Sequence, residues 1–197
     1  MKKLLFAMVM TCAGLGISAA EVSAQQNPMV GGAAMYKSKN IVENALNSQD
    51  HTTLVAAVKA AGLVETLAGK GPFTVFAPVN SAFDKLPSGT VETLLKPENK
   101  DMLTQVLTYH VVAGKMDAKK IMSAIKKGGG TATFKTVSGN TLTASMNGKM
   151  VVLRDEKGGT STVTIANVMQ SNGVIHVVDT VLLPGEKTMS GGMKKTM

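Results

Sequence analysis

Cysteine, tryptophan and arginine are almost missing from this chain. The one cysteine, Cys12, sits in an apolar leader, so a mature chain without that leader carries no thiol, which excludes disulfides, cysteine metal sites and thiol catalysis. Aromatic residues make up only 4% of the sequence, and Arg154 is the single arginine in a chain of formal charge +8. Lysine spread along the chain without aromatic interleaving argues against nucleic acid as a partner. It fits a solvated surface loosely attracted to anionic envelope polymers. Long apolar runs are lacking too. The run from Leu4 to Ile17 falls short of the roughly 20 residues that cross a bilayer, so no stable transmembrane anchor is expected.

What is present at the start is an address. Lys2 and Lys3 precede that run, and short side chains follow at Val22 to Ala24, the order of a secretory signal peptide over residues 1 to 24. Cleavage is expected after Ala24, with Ala20 as the second choice, giving a secreted or periplasmic protein. Thr11 before Cys12, and an apolar run that continues past it, argue against lipid attachment. Losing Lys2, Lys3 and Glu21 lowers the formal charge to +7.

Residues 25 to 36 and 186 to 197 are rich in glycine, methionine and lysine without a sustained hydrophobic period, and are expected to be flexible tails. Met189, Met193 and Met197 are evenly spaced, but Gly191 and Gly192 weaken any helix that would align them for a metal, so no metal or cofactor is expected. Between the tails the first half is mainly helical. Ile41, Val42, Ala45 and Leu46 share a face after Asn40, and Leu54, Val55, Val58 and Ala61 share another before Gly62. A break at Pro97 precedes a helix with Met102, Val106 and Leu107 on one side, and Asp117 starts another with Ile121, Met122 and Ile125 as its stripe. From Gly128 onward, β-branched runs alternate with turn residues such as Asn147-Gly148, a strong hairpin signal. The result is one α+β domain over residues 37 to 185.

Three blocks stand out: "TVFAPVNSAFDKLP" from Thr74, "YHVVAGK" from Tyr109 and "NGVIHVVDTVLLP" from Asn172. In this order and at this separation they resemble the conserved blocks of the fasciclin-like domain family, over almost the whole mature chain. The resemblance implies N-terminal helices packed against a two-sheet β-wedge or sandwich, with the Thr74 strand meeting the C-terminal strand. It also implies a binding module, most directly in cell-surface or matrix adhesion, whose partner is a cell-surface or envelope protein or polysaccharide. In animal matrix members the Tyr-His segment is implicated in receptor binding, which points to Tyr109, His110, Val111 and Val112. Those members also use an Asp-Ile pair where this chain has Asn167 and Val168, so that contact lacks its carboxylate. Some algal members bind carotenoids, which makes a carrier of an apolar, carotenoid-like or lipid-like molecule the alternative. A monomer or weak homodimer is expected.

The residues themselves supply a structural reading of the first block. Pro78 forces Ala77 extended, Asn80 is placed to cap the helix that carries Phe83, and Phe76 and Phe83 anchor either side of the corner. An enzyme is not expected. The three histidines, His51, His110 and His176, have no carboxylate spaced to orient them on a shared face, and neither a nucleophile elbow nor a phosphate loop occurs. His176, among Val174, Ile175, Val177 and Val178, reads as a core residue.

Overall fold

The computed structural model describes residues 27–185. The expected leader at 1 to 24 and the expected tail at 186 to 197 lie outside the described residues. The chain opens with a small hairpin, β1 (Met29–Val30) and β2 (Ala33–Ala34), followed by helices α1 (Ile41–Ala45), α2 (Thr52–Ala61) and α3 (Val64–Ala68). Strand β3 (Phe73–Pro78) leads to α4 (Asn80–Asp84), α5 (Thr90–Leu95), α6 (Lys100–Tyr109), β4 (Val111–Ala113) and α7 (Ala118–Lys127). A run of strands closes the chain: β5 (Thr131–Lys135), β6 (Thr141–Asn147), β7 (Met150–Arg154), β8 (Thr160–Gln170) and β9 (Gly173–Val178).

Local chemistry sets several of these boundaries. Asn40 and Glu43 form a reciprocal capping box at the start of α1, the Asn40 side chain accepting from Glu43 N–H at 2.9 Å and Glu43 from Asn40 N–H at 2.7 Å. Gly62 ends α2 in the left-handed conformation. Asp117 accepts from Lys120 N–H at 2.8 Å to start α7, and Ile121 and Ile125 bury one side of that helix.

All seven main strands form one sheet in the order β4-β3-β9-β8-β7-β6-β5, with β3 parallel to β9 and every other pair antiparallel. The expected two-sheet wedge is therefore two halves of a single sheet. They are joined by β8, which pairs with β7 through Thr160–Thr162 and with β9 through Val163–Gln170, bending at register shifts around Ile165. The sheet curls until its edges approach, with a bridge between Val112 and Thr136 and Val137 N–H donating to Val111 O at 2.8 Å.

Alternation along β3 fills two cores. Val75 and Ala77 face the helical layer, with Leu54, Val58, Leu67, Ile175 and Val177, while Phe76 faces the interior of the curled sheet, with Tyr109, Ile121, Ile125, Phe134 and Leu153. Both faces of β9 are covered, so all six of its residues are buried. The parallel pairing demands a glycine at its start: a Cβ on Gly173 would lie 2.1 Å from Phe73 O.

Two expectations are corrected here. Residues 27 to 36 are not a tail, because Val30 and Met35 are buried in the helical core, and Met35 N–H donates to Pro28 O at 2.9 Å. Met102 and Met122 point outward; Leu103 and the pair Ile121 and Ile125 take the inward positions. The last strand stops at Val178, and residues 179 to 185 run as a strap held by side chains: Leu182 N–H donates to His110 Nε2, Leu183 N–H to Asp155 Oδ2 and Gly185 N–H to Glu156 Oε2.

Candidate functional site

The Tyr-His block straddles a helix end and a strand start. Tyr109 is the last residue of α6, His110 caps it, and Val111 and Val112 begin β4. All four side chains are buried, Tyr109 and His110 at 0% and 4% exposure. None of these four side chains, expected as a recognition patch, is presented openly at the surface. Their polar atoms are committed inward. Tyr109 O–H donates to Thr141 O at 2.7 Å and accepts from Glu156 N–H, and burial pushes its phenol up to about 12. His110 Nδ1 bonds Val106 O at 2.8 Å while Nε2 accepts from Leu182 N–H at 3.1 Å, an arrangement that fits one neutral tautomer. Burial holds its pKa below the ordinary histidine value.

His176 and His51 are interior as well. His176 Nε2 bonds Met116 O at 2.8 Å and its ring stacks near Phe76, and His51 Nδ1 bonds Ser48 Oγ at 2.8 Å. Burial lowers both pKa values. No cluster of three or more histidine, cysteine or acidic residues that could hold a metal occurs among the described residues.

At the first-block corner, Pro78 is buried at the end of β3 opposite Val178, Phe76 is in the inner core, and Phe83 is half-buried against the helical side. Asn80 departs from expectation. Val79, not Asn80, occupies the cap position of α4, and no side chain caps that helix. Asn80 instead caps α2, accepting from Thr53 N–H at 3.1 Å and Thr52 Oγ1 at 3.2 Å and donating to Gln49 O at 2.8 Å. Asn167, exposed at a positive φ of 62°, accepts from Ala118 N–H at 2.7 Å and so supports the start of α7, and Val168 is buried.

Two concavities stand out among the described residues. A polar groove of about 560 Å³ opens where β3 and β9 begin, lined by Asn40, Lys70, Pro72, Lys115, Ser171 and Asn172 among others. Asn172 shapes it, donating to Leu67 O at 2.8 Å and Gly69 O at 3.0 Å and accepting from Ile41 N–H at 3.0 Å. An apolar cavity of about 70 Å³ lies under α1, α2 and α3, walled by Leu54, Val58, Leu67, Val75, Val111 and Ile175 among others. Sequence reading missed both. Their walls come from segments more than a hundred residues apart, and the only advance signal was the Asn172-Gly173 pair inside the third block.

Fold and site together define an α+β domain that offers grooves and loops, with its histidines locked in the interior. A fasciclin domain matches residues 49–184, more than half of the sequence, and the chain belongs to the fasciclin family. Protein sll1483 of Synechocystis sp. is 47% identical over 161 residues, covering 81% of this chain and 82% of that protein. The cell surface glycolipoprotein MPB83 of Mycobacterium bovis is 32% identical over 176 residues, 86% of this chain and 72% of that protein. Among solved structures, the FAS1 domain pair of the insect cell adhesion molecule Fasciclin I matches with a TM-score of 0.53 at 22% identity, over 66% of this chain and 43% of that one. That likeness concerns the fold alone.

Proposed function

We propose that this protein is a non-enzymatic, secreted or periplasmic binding module that works in adhesion at the cell surface or in the extracellular matrix. The observation that carries the reading is the fasciclin domain itself, spanning residues 49–184 and shared with a cell surface glycolipoprotein. The polar groove at Lys70, Lys115 and Asn172 offers ammonium and amide groups to a protein or polysaccharide partner. The buried Tyr-His block acts behind that surface by fixing α6, β4 and the C-terminal strap.

A second reading, carriage of an apolar molecule, is favoured by the apolar cavity under α1 to α3. At about 70 Å³ it is far smaller than a drug-sized pocket and admits only a small apolar group unless the helices part. Purification of the exported protein from native envelope, with mass spectrometry of co-purifying proteins, glycans and small molecules, separates the two. A protein or polysaccharide partner retained in a lipid-free extract is the expected result. Stoichiometric pigment or lipid with no macromolecular partner would replace adhesion by carriage.

A further inference from the structure

The positive charge that looks dispersed in the sequence is gathered by the fold. Residues 37 to 109 hold seven basic and seven acidic side chains, whereas no acidic residue occurs between Asp117 and Asp155. Strand directions then decide where the lysines go. Because β3, β9, β7 and β5 run one way and β4, β8 and β6 the other, their connecting loops near Lys70, Lys115, Gly128–Gly130, Asn147–Lys149 and Ser171 all lie on one rim of the curled sheet. Lys70, Lys115, Lys126, Lys127 and Lys149 are exposed there. The one carboxylate among these loops, Asp117, is engaged in starting α7. The single ion pair among the described residues, Lys85 with Asp179, belongs to the opposite rim.

The same rim carries apolar groups. Thr131 pairs with Ser145, which brings the end of α7 and its glycine loop beside the β6–β7 hairpin tip. At that tip Met146 and Met150 are 36% and 51% exposed. Met146 continues the face of Leu142 and Ala144 beyond the end of the core, and Met150 takes the other face, so the tip bears a thioether on each side. Gly129, Gly130 and Gly148 have positive φ and no neighbour within 4 Å of a Cβ built on them, so the turns between the lysines are tight and slim.

We propose that this rim docks the protein onto a lipid bilayer with anionic headgroups, the lysines lying over the headgroups and the Met146 and Met150 side chains entering the interface. Lysine is a compact point charge on a flexible stem and suits a diffuse layer of negative charge, whereas a built site for one phosphate favours the fork of arginine. Methionine is apolar and conformationally adaptable, which fits a disordered medium. A soluble polyanion would account for the lysines and leave the two methionines without a role. Each lysine near such a surface strengthens partition about fivefold at modest ionic strength, and the attraction fades as salt shortens the screening length.

The test is sedimentation of the purified mature chain with vesicles of phosphatidylcholine containing phosphatidylglycerol, against phosphatidylcholine alone, across a salt series. Binding to the anionic vesicles, weakened by salt, is expected. Lys126→Glu/Lys127→Glu/Lys149→Glu should weaken it about a hundredfold or more, and Met146→Ser/Met150→Ser about tenfold. Lys59→Glu/Lys100→Glu, on the helices, should leave it unchanged. Melting temperatures verify that each variant is folded, and the single change Lys149→Glu serves if the triple variant is not. No preference for anionic vesicles overturns the proposal, as does equal loss in the helix variant. So do methionine variants that bind like wild type while dextran sulfate competes as well as vesicles, a result that would assign the rim to soluble polymers. Because the assay contains only lipid and purified protein, its failure is separate from failure of the adhesion reading.

Discussion

Asn80 shows how one side chain can serve an element it does not belong to. It sits at the start of α4 yet satisfies the first turn of α2, where no local side chain caps the helix. Asn80→Ala should cost about 0.5–2 kcal/mol, the usual range for a lost cap, and should speed amide exchange at Thr53 while leaving α4 unchanged. Faster exchange confined to α4 would restore the local-cap reading. Tyr109 poses the complementary question, because its hydroxyl is buried between Thr141 and Glu156. Tyr109→Phe should cost about 1–3 kcal/mol by leaving the Thr141 carbonyl unpaired, and Tyr109→Ala about 3–5 kcal/mol by opening a cavity, both measured by denaturant unfolding. In neither variant should the folded fraction lose partner binding. Weakened attachment by a fully folded Tyr109→Phe protein would return this residue to the recognition surface.

At the scale of elements, the hairpin of β1 and β2 is tied to the helical layer rather than trailing from it. Gln49 N–H donates to Gly31 O at 3.1 Å, and Val30 and Met35 are buried. Met35→Ala should therefore cost about 2–5 kcal/mol, read as a lower midpoint in urea; an unchanged midpoint would mean that the hairpin is detached in solution. Gly31 adds a backbone reason. Its φ is +57° and a Cβ would lie 2.4 Å from Ser48 Oγ, so no larger residue fits without moving the turn that holds His51. The same interlocking explains the strap at residues 179 to 185, where the N–H groups of Leu182, Leu183 and Gly185 find side-chain acceptors on β4's entry and the β7–β8 loop in place of a strand partner.

For the whole molecule the buried histidines set a pH dependence. His51, His110 and His176 are all held below the ordinary value of about 6.5, chiefly by burial, opposed first by backbone hydrogen bonds and then by the charges of Asp50, Asp155 and Asp117. In each case the unfolded chain takes up a proton before the folded one does. Their contribution is thus fully present above about pH 6.5 and declines as pH falls from there toward the folded values, by at most about 1.4 kcal/mol per pH unit for each histidine. Glu156, lowered first by the Thr141 N–H, loses its contribution in more acid solution still. Urea unfolding should show flat stability from neutral pH upward and a decline starting just below pH 6.5. A decline that began only in the carboxylate range would show the histidines to be readily protonated in place. His110→Gln should flatten part of the slope while lowering the plateau, because its Nε2 anchors the strap.

Composition and local pattern determined a good deal unaided: a mainly helical first half before a run of strands, the Asn40 and Asp117 caps, the Asn147-Gly148 hairpin, and a family resemblance carried by three short blocks. These are properties of residues that are near neighbours in the chain, where capping geometry and turn chemistry act over three or four positions. What lay beyond reach were decisions made across long separations. The inward burial of Tyr109 and His110 depends on a sheet that curls until β4 approaches the segment after β5, and an alternating pattern cannot tell a strand covered on one face from one covered on both. Asn80 found a donor 27 residues away, and lysines scattered along the second half came together only because strand direction sends their loops to a common rim. Periodicity assigns a side chain to a face, but only the packed sheet decides whether that face meets water, another layer, or a second loop of the same charge.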